Sequence, residues 1–312
     1  MLDLEALRKE LAAITAQTTR PYNVNFFCHT QPEPSVERER AWRAALAPYF
    51  AELGIDPNAV PEGPGRSPFD YKAAEVLGEF KPAVVSFHFG LPSPDLVAQV
   101  RGWGAKVLSS ATTVDEARWL EANGADAIIA QGLEAGGHRG MFLSMDLNTQ
   151  VGTLALVAQI VQAVKVPVIA AGGIADAKGV AAAMALGAAG VQIGTAYLLC
   201  LEAATSTLHR AALKSDAARV TALTNLFTGR PARSIVNRII RELGPLSAVA
   251  PPFPLASSAM APLRSKAESL RNSDFLPFWA GQNTTGCKEI SATLLTQELS
   301  LATQSAGEVP PT

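Results

Sequence analysis

His138 sits in the run GLEAGGHRG, Gly132 to Gly140, with only glycines and Arg139 beside it. A neutral imidazole titrates near physiological pH, so it can take a proton from carbon or steady a developing anion. The competing reading is a histidine that caps a turn. A second glycine run, Gly172–Gly173 in PVIAAGGIADAKG, joins an apolar strand to a helix that Asp176 can cap. Without a Cβ the backbone can approach an anion closely, and a helix N-terminus supplies free N–H groups. Gly194–Thr195 ends the next unit, GVQIGT, and adds further N–H groups and a hydroxyl. Each turn alone could be an ordinary connection. In consecutive units they point to a barrel mouth that grips a phosphate, with His138 near its owner. Small-molecule chemistry on a phosphorylated cofactor follows.

Other candidates are weaker. His88 follows the strand Val84–Phe87 and either lines the same mouth or is a buried, satisfied strand-end residue. His29 follows Cys28 at the end of the first strand, and His209 lies in a Leu-Ala helical setting that suits packing or surface. Glu134 either orients His138 or is a solvated loop charge. Arg230 and Arg233, in TGRPAR, either contact an acidic ligand or form a structural salt bridge. The histidines and carboxylates lack metal-ligand spacing, and no GxSxG, Walker or GxGxxG motif occurs.

The elements that must position these residues alternate regularly. Helices are predicted at Asp3–Gln17, Ser35–Leu53, Phe69–Glu79, Ser93–Trp103, Val114–Asn123, Gln150–Val164 and Ala177–Leu186. Strands are predicted at Tyr22–Phe27, Val84–Phe87, Lys106–Ser109, Ala127–Ala130, Val168–Ala170 and Gly190–Ile193. Short apolar strands between helices indicate a parallel sheet buried on both faces. Functional residues then belong on the loops after the strands' carboxyl ends. Beyond Thr195 the rhythm loosens. Asn225–Ile240 reads as a turn followed by a helix, Pro245–Pro254 is a proline-rich excursion, and helices follow near Ser257–Asn272 and Ile290–Leu301. A Pro/Gly loop spans Asn58–Pro68. The expected division is a barrel over 1–222, a helical segment packed on it over 223–303, and a frayed tail over 304–312.

Composition narrows the class. The 312 residues are 48% hydrophobic, enough for a sizeable core, and carry a net charge of −2. A pI of about 6.1 gives no electrostatic case for nucleic acid or anionic lipid. Cys28, Cys200 and Cys287 are scattered and odd in number, which suits a reducing cytosol and no disulfide framework. No secretory signal pattern opens the chain. Val180–Leu201 lacks charge over nearly a membrane span, but its glycines and its change of period read as helix, loop, strand and turn. The chemistry expected is therefore cytoplasmic, away from membranes, and a homo-oligomer is compatible with the sequence.

Several segments, in order along most of the chain, resemble the nitronate monooxygenase family, formerly 2-nitropropane dioxygenases. They are SFHFGLP at Ser86–Pro92, AKVLSSATTVDEA at Ala105–Ala117, AQGLEAGGHRG, PVIAAGGI, GVQIGTAYL, NLFTGRPAR and LPFWAGQ at Leu276–Gln282. The wording is similar to the class I, bacterial-type branch. The resemblance implies an FMN-dependent TIM-type (β/α)8 barrel that oxidises nitronates or nitroalkanes with O2 to a carbonyl compound and nitrite, without a nicotinamide. It implies propionate 3-nitronate, a respiratory poison, as a physiological substrate. By matched motif, His138 takes the α-proton of a nitroalkane or assists nitronate oxidation, and His88 belongs to the substrate pocket. Gln131, Gly136 and the adjoining Gly137 contact the flavin, and Asn25 lies near the isoalloxazine. Gly172, Gly173, Gln192, Ile193, Gly194 and Thr195 hold the ribityl phosphate.

One departure stands out. Members of that family begin with a strand reading like PIIQAPM, a helix and a GGLG-type second strand, and this chain starts after that region. The expectation is a barrel incomplete at its N-terminus with a C-terminal helical extension, open at the strand that begins at Tyr22. An upstream start or a truncated gene model accounts for this best, against a degraded copy with weakened flavin binding. Two rivals remain: a flavin-dependent enoyl-acyl-carrier-protein reductase, which shares the barrel and a GGH loop but needs a nicotinamide and an acyl channel, and a catalytically weak remnant.

Overall fold

Up to Thr195 the predicted strands and helices form where their periods place them. The computed structural model describes residues 2–56 and 66–305. In chain order the elements are α1 (Leu4–Gln17), β1 (Asn23–Phe27), α2 (Val36–Leu53), α3 (Tyr71–Phe80), β2 (Val84–His88), α4 (Pro94–Gly102), β3 (Lys106–Ala111), α5 (Val114–Ala122), β4 (Ala127–Gln131) and β5 (Gly137–His138). There follow α6 (Thr153–Ala163), β6 (Val168–Ala171), α7 (Ala177–Ala185), β7 (Gly190–Gln192), α8 (Thr207–Lys214), β8 (Thr221–Thr224), β9 (Ala232–Ile235), α9 (Arg238–Leu243), α10 (Ala256–Ser269) and α11 (Ala292–Ser305). Helix starts follow the capping residues: Asp3, Ser35, Asp70, Thr113, Asp176 and Asn237 each accept a first-turn backbone N–H.

Six parallel strands form one sheet in the order β1-β2-β3-β4-β6-β7. Register places Phe27 opposite His88 and Gln131 opposite Ala171. β4, at the middle, is buried at every position, whereas the edge strand β1 exposes Asn23 and Asn25. Inward side chains from all six strands, among them Asn25, Ser86, Ser110, Ile129, Ala171 and Gln192, line one cavity. A flat sheet could not gather them, so the sheet curls around that cavity. The fold is the expected α/β architecture of TIM type, with six of the eight barrel strands among the described residues and with β1 and β7 as free edges.

Helices cover the sheet's outer face. α1, α3 and α4 pack on β2 and β3 through Leu7, Leu11, Leu77, Val85 and Val107. α5 and α6 pack on β4 and β6 through Leu120, Ile128, Leu156 and Ile160. A third core joins α2 to the C-terminal part. Trp42, Leu46 and Phe50, four residues apart, share one helical face and are buried, and Trp42 Nε1 donates to Ala256 O at 3.2 Å. Truncating Trp42 to alanine costs about 3–5 kcal/mol by the usual cavity argument.

The segment after Thr195 departs from expectation. Ala232–Ile235, anticipated within a helix, is a strand buried at all four positions. It pairs antiparallel with β8 on one side and β5 on the other, with His138 opposite Ala232. Pairing on both edges and burial on both faces outweigh the helical period of the residues that follow, and the helix starts only at Arg238. The small sheet β5-β9-β8 also crosses the anticipated boundary at 222, which falls inside the β8–β9 hairpin. The uncharged stretch Val180–Leu201 is α7, β7 and a short 3-10 turn, and no described helix is long and apolar enough to cross a membrane. Most of the Asn58–Pro68 loop and the tail from 306 lie outside the described residues.

Candidate active site

A cavity of about 530 Å3 opens at the carboxyl ends of the parallel strands. It brings together every residue anticipated for the site. Asn25, His88, Gln131, Gly136, Gly137 and His138 line one part of it, and Gly172, Gly173, Gln192, Ile193, Gly194 and Thr195 line the other. Its size falls within the range of small-molecule and cofactor sites.

His138 is not on a free loop, as its glycine neighbours suggested, but in β5. Its carbonyl accepts from Gln131 Nε2 at 2.9 Å and lies 3.1 Å from His88 Nε2. Four rings box its imidazole: Phe253 at 5.3 Å, Trp279 at 5.5 Å, Phe27 at 5.9 Å and Phe89 at 6.1 Å between centroids. Its Nε2 lies 2.9 Å from Thr228 Oγ1. The Gln131 amide is largely committed to this loop, since Oε1 also accepts from Gly140 N at 2.7 Å. Its second amide N–H and the second lone pair of Oε1 are left for a ligand.

Beneath the loop, Arg139 is fully buried and donates to Gln150 Oε1 and to the carbonyls of Gly132 and Gln131, at 2.6–3.0 Å. Glu116, also buried, accepts from Thr112 N and Oγ1 and from Phe142 N and Leu143 N, at 2.6–3.2 Å. These two side chains pin the loop on both sides of His138.

Glu134 neither orients His138 nor stands in solvent. Its carboxylate accepts from Thr153 N and Oγ1, so it caps α6, whose own N-cap is Gly152 and offers no side chain. Arg230 and Arg233 form no salt bridge among the described residues. Arg230 donates to Met141 O and covers the Phe89 ring at 3.9 Å, while Arg233 donates to Leu133 O at 2.8–3.0 Å and to Thr221 Oγ1. Buried carbonyls take the place of the expected carboxylates.

The opposite wall has the form a phosphate needs. Gly172 and Gly173 have φ of 120° and 71°, which side-chain-bearing residues rarely adopt. Gly172 O points to Thr153 Oγ1, 3.0 Å away, whose one hydrogen it shares with Glu134. Because C=O and N–H of a trans peptide point oppositely, this turns the Gly173 N–H toward the cavity. Asp176 caps α7 immediately behind, accepting from Gly179 N at 2.8 Å. At Gly194 a Cβ would meet nothing within 4 Å, so the cradle is open there.

Three contributors were missed from sequence. The strap after α10 crosses the site: Gly281 N donates to Thr195 Oγ1 at 2.9 Å, Asn283 Nδ2 to Gly173 O at 2.9 Å, and Gln282 N to Glu134 O at 2.9 Å. It also delivers Trp279. The proline-rich excursion delivers Phe253, which additionally packs on His29 at 4.8 Å. Thr228 comes from NLFTGRPAR. The signal for Trp279 and Thr228 was their place in family-like segments, and for Phe253 there was none. His29 Nε2 holds Arg66 O at 2.7 Å rather than entering the cavity lining, and His209 packs on Phe278 at 5.2 Å.

Electrostatically the site favours neutral imidazoles and anions. Burial pushes His138 well below the ordinary value of 6.5, and the nearby His88, Arg66, Arg230 and His29 push it further. Burial lowers His88 to about 4 despite its bond to His138 O. Burial also lowers Arg230 to about 10, which leaves it charged at neutral pH.

Comparison with known proteins agrees with this geometry. The family model for nitronate monooxygenase matches residues 2–301. The nitronate monooxygenase of Pseudomonas aeruginosa is 41% identical over 294 residues, covering 94% of this chain and 84% of its own. That of Paraburkholderia phytofirmans is 39% identical over 301 residues, covering 96% and 82%. The crystal structure of nitroalkane oxidase from Streptomyces ansochromogenes superposes with a TM-score of 0.86 at 37% identity, over 97% of this chain and 87% of that one. FabK from Thermotoga maritima gives 0.69 at 25% identity, over 98% and 83%. The match runs through every loop of the cavity, and the chain belongs to the nitronate monooxygenase family and is an oxidoreductase of it.

Proposed function

We propose that this chain binds FMN and oxidises alkyl nitronates with O2 to a carbonyl compound and nitrite, and that it also uses neutral nitroalkanes after His138 removes their α-proton. The observation that carries the reading is a half-buried imidazole, held below its ordinary pKa, facing a cavity whose far wall is a glycine-built cradle fit for an anion. Gly172, Gly173 and the run from Gln192 to Thr195 would hold the phosphate, while Asn25, Gln131, Gly136 and Gly137 would flank the ring system. FMN, when bound, supplies an electron acceptor for the nitronate and a route onward to oxygen.

The chain's own residues do the rest. The aromatic box around His138 excludes water and accepts a short alkyl chain. His138, kept unprotonated by burial and cationic neighbours, takes the proton when the substrate is neutral. Positive charge from Arg66 and Arg230 near the imidazole favours the anion produced. The same charge supports a doubly anionic substrate such as propionate 3-nitronate.

The test begins with the visible spectrum of the purified chain, followed by oxygen uptake and nitrite release with ethyl nitronate and propionate 3-nitronate. A flavin spectrum near one FMN per chain and nitrite formed with oxygen consumed support the reading. NADH oxidation with an enoyl thioester and no nitronate turnover would instead assign the enoyl reductase activity. A protein that takes up no flavin even on reconstitution would be the inactive remnant.

A further inference from the structure

We propose that Thr228 is a positioning residue for proton abstraction: its hydroxyl accepts the Nε2–H of His138, fixes the tautomer whose Nδ1 lone pair faces the cavity, and remains the Nε2–H acceptor when the ring becomes an imidazolium. This inference rests on the function proposed above, and it adds a residue to which that function assigns no role.

Thr228 is 2% exposed, and its Oγ1 lies 2.9 Å from His138 Nε2. A buried hydroxyl must find an acceptor for its own hydrogen. Arg230 O, 3.5 Å away, is the acceptor in reach other than the imidazole itself, and the proposed tautomer turns the hydrogen there. With that hydrogen turned to the carbonyl, the Oγ1 lone pairs face Nε2, which must then carry a proton. Nδ1 has no protein partner among the described residues yet is not sealed in, and His138 lines the cavity. Its lone pair is the one a substrate C–H meets.

The step balances without a further reagent. The substrate C–H bond breaks, its electron pair stays on the substrate as the nitronate, and the proton joins Nδ1. The resulting ring has two N–H groups, and Nε2–H still has Thr228 Oγ1 as acceptor. Elsewhere a carboxylate commonly orients a catalytic histidine. Here the two nearby carboxylates are committed, Glu134 to Thr153 and Glu116 to Thr112 and Phe142. A neutral hydroxyl orients the ring as a carboxylate would, but does not trap the proton on it.

Two measurements on the full chain decide the matter. First, the 15N shifts of the His138 ring, assigned by their loss in His138→Gln, should show Nε2 protonated and Nδ1 bare in the wild type, with mixed tautomers in Thr228→Val. A wild-type Nδ1–H tautomer overturns the proposal, whether or not the chain turns over nitronates. Second, the ratio of nitroethane to ethyl nitronate turnover should fall about tenfold to a hundredfold in Thr228→Val, the worth of a hydrogen bond to a charged group. Thr228→Ser should restore the ratio, and the isotope effect with α-deuterated nitroethane should rise in the valine variant. An unchanged ratio in an active Thr228→Val enzyme overturns the proposal and leaves the proposed function standing. Absence of both activities in the wild type, with the expected tautomer, overturns the function and not the role of Thr228 in orienting the ring.

Discussion

The Trp279 ring lies 5.5 Å from the imidazole of His138, tilted by 48°, and two residues further on Gly281 N donates to Thr195 Oγ1. One strap therefore builds both a wall around the imidazole and a brace for the glycine-built wall opposite. Its path is dictated by close packing at glycine. A Cβ on Gly136 would come within 2.6 Å of Ala280 C and Gly281 N. The wall and the cradle are mechanically one piece, so damage at either should be felt at the other.

Gly136→Ala tests that coupling. The added methyl has only backbone to push against, and overpacking of this kind costs about 1–3 kcal/mol. The expected result is a lower unfolding midpoint together with weaker retention of flavin during gel filtration. A variant that keeps both wild-type stability and wild-type flavin content would show the strap to be free to move.

His138→Asn separates the two substrates. The amide keeps much of the imidazole's volume but cannot accept a proton from carbon. Flavin content should be unchanged, and nitroethane turnover should fall by about 10²–10⁴. Ethyl nitronate, already deprotonated, should lose far less. Equal losses on both substrates would remove proton abstraction from the role of His138.

Much of the site was legible because its signals are local. Ala127–Ala130 is apolar and buried, and the glycine loops after β4 and β6 announce tight turns next to strands. Thr228 and Trp279 were marked only by their family-like segments and Phe253 by nothing, since each meets His138 from a different, distant segment. Glu134 was misread because capping of α6 in trans leaves no mark in the sequence near either partner. β9 was misread because its four residues borrow their stability from strands on both sides.

Arg66 and Phe253 are expected to set a discrimination by substrate charge. Arg66 lies over the Phe253 ring at 5.8 Å, while His138 lies 5.3 Å from the same ring. Neither Arg66 nor Arg264, whose charge lowers the proton affinity of Arg66, forms a salt bridge among the described residues. A carboxylate one ring-width from the reacting carbon would find this charge. Arg66→Ala should raise KM for propionate 3-nitronate about tenfold while leaving ethyl nitronate within about twofold, the loss of one charge-assisted hydrogen bond. Equal changes for both substrates would place Arg66 outside the recognition of the second anionic group.

Acid should loosen this fold as its histidines charge. His29, His88, His138 and His209 all have proton affinities lowered chiefly by burial, with His88 brought to about 4. In the unfolded chain each titrates near 6.5, so between that value and the folded value the unfolded state binds more protons. Stability is therefore full above pH 6.5 and is lost as pH falls toward 4, at up to ~1.4 kcal/mol per pH unit for each such histidine. The paired carboxylates of Glu52, Glu79 and Glu242, lowered from 4.5 by their arginine partners, add a further loss that begins as pH approaches 4.5 and continues below it. Urea midpoints at pH 7.5, 6.5, 5.5 and 5.0 should fall progressively over the last three. His209→Gln removes one titrating group that does not line the cavity, and its profile should be shallower by about one proton. Midpoints that stay level from pH 6.5 to 5.0 would mean that the buried imidazoles find proton acceptors or water on charging.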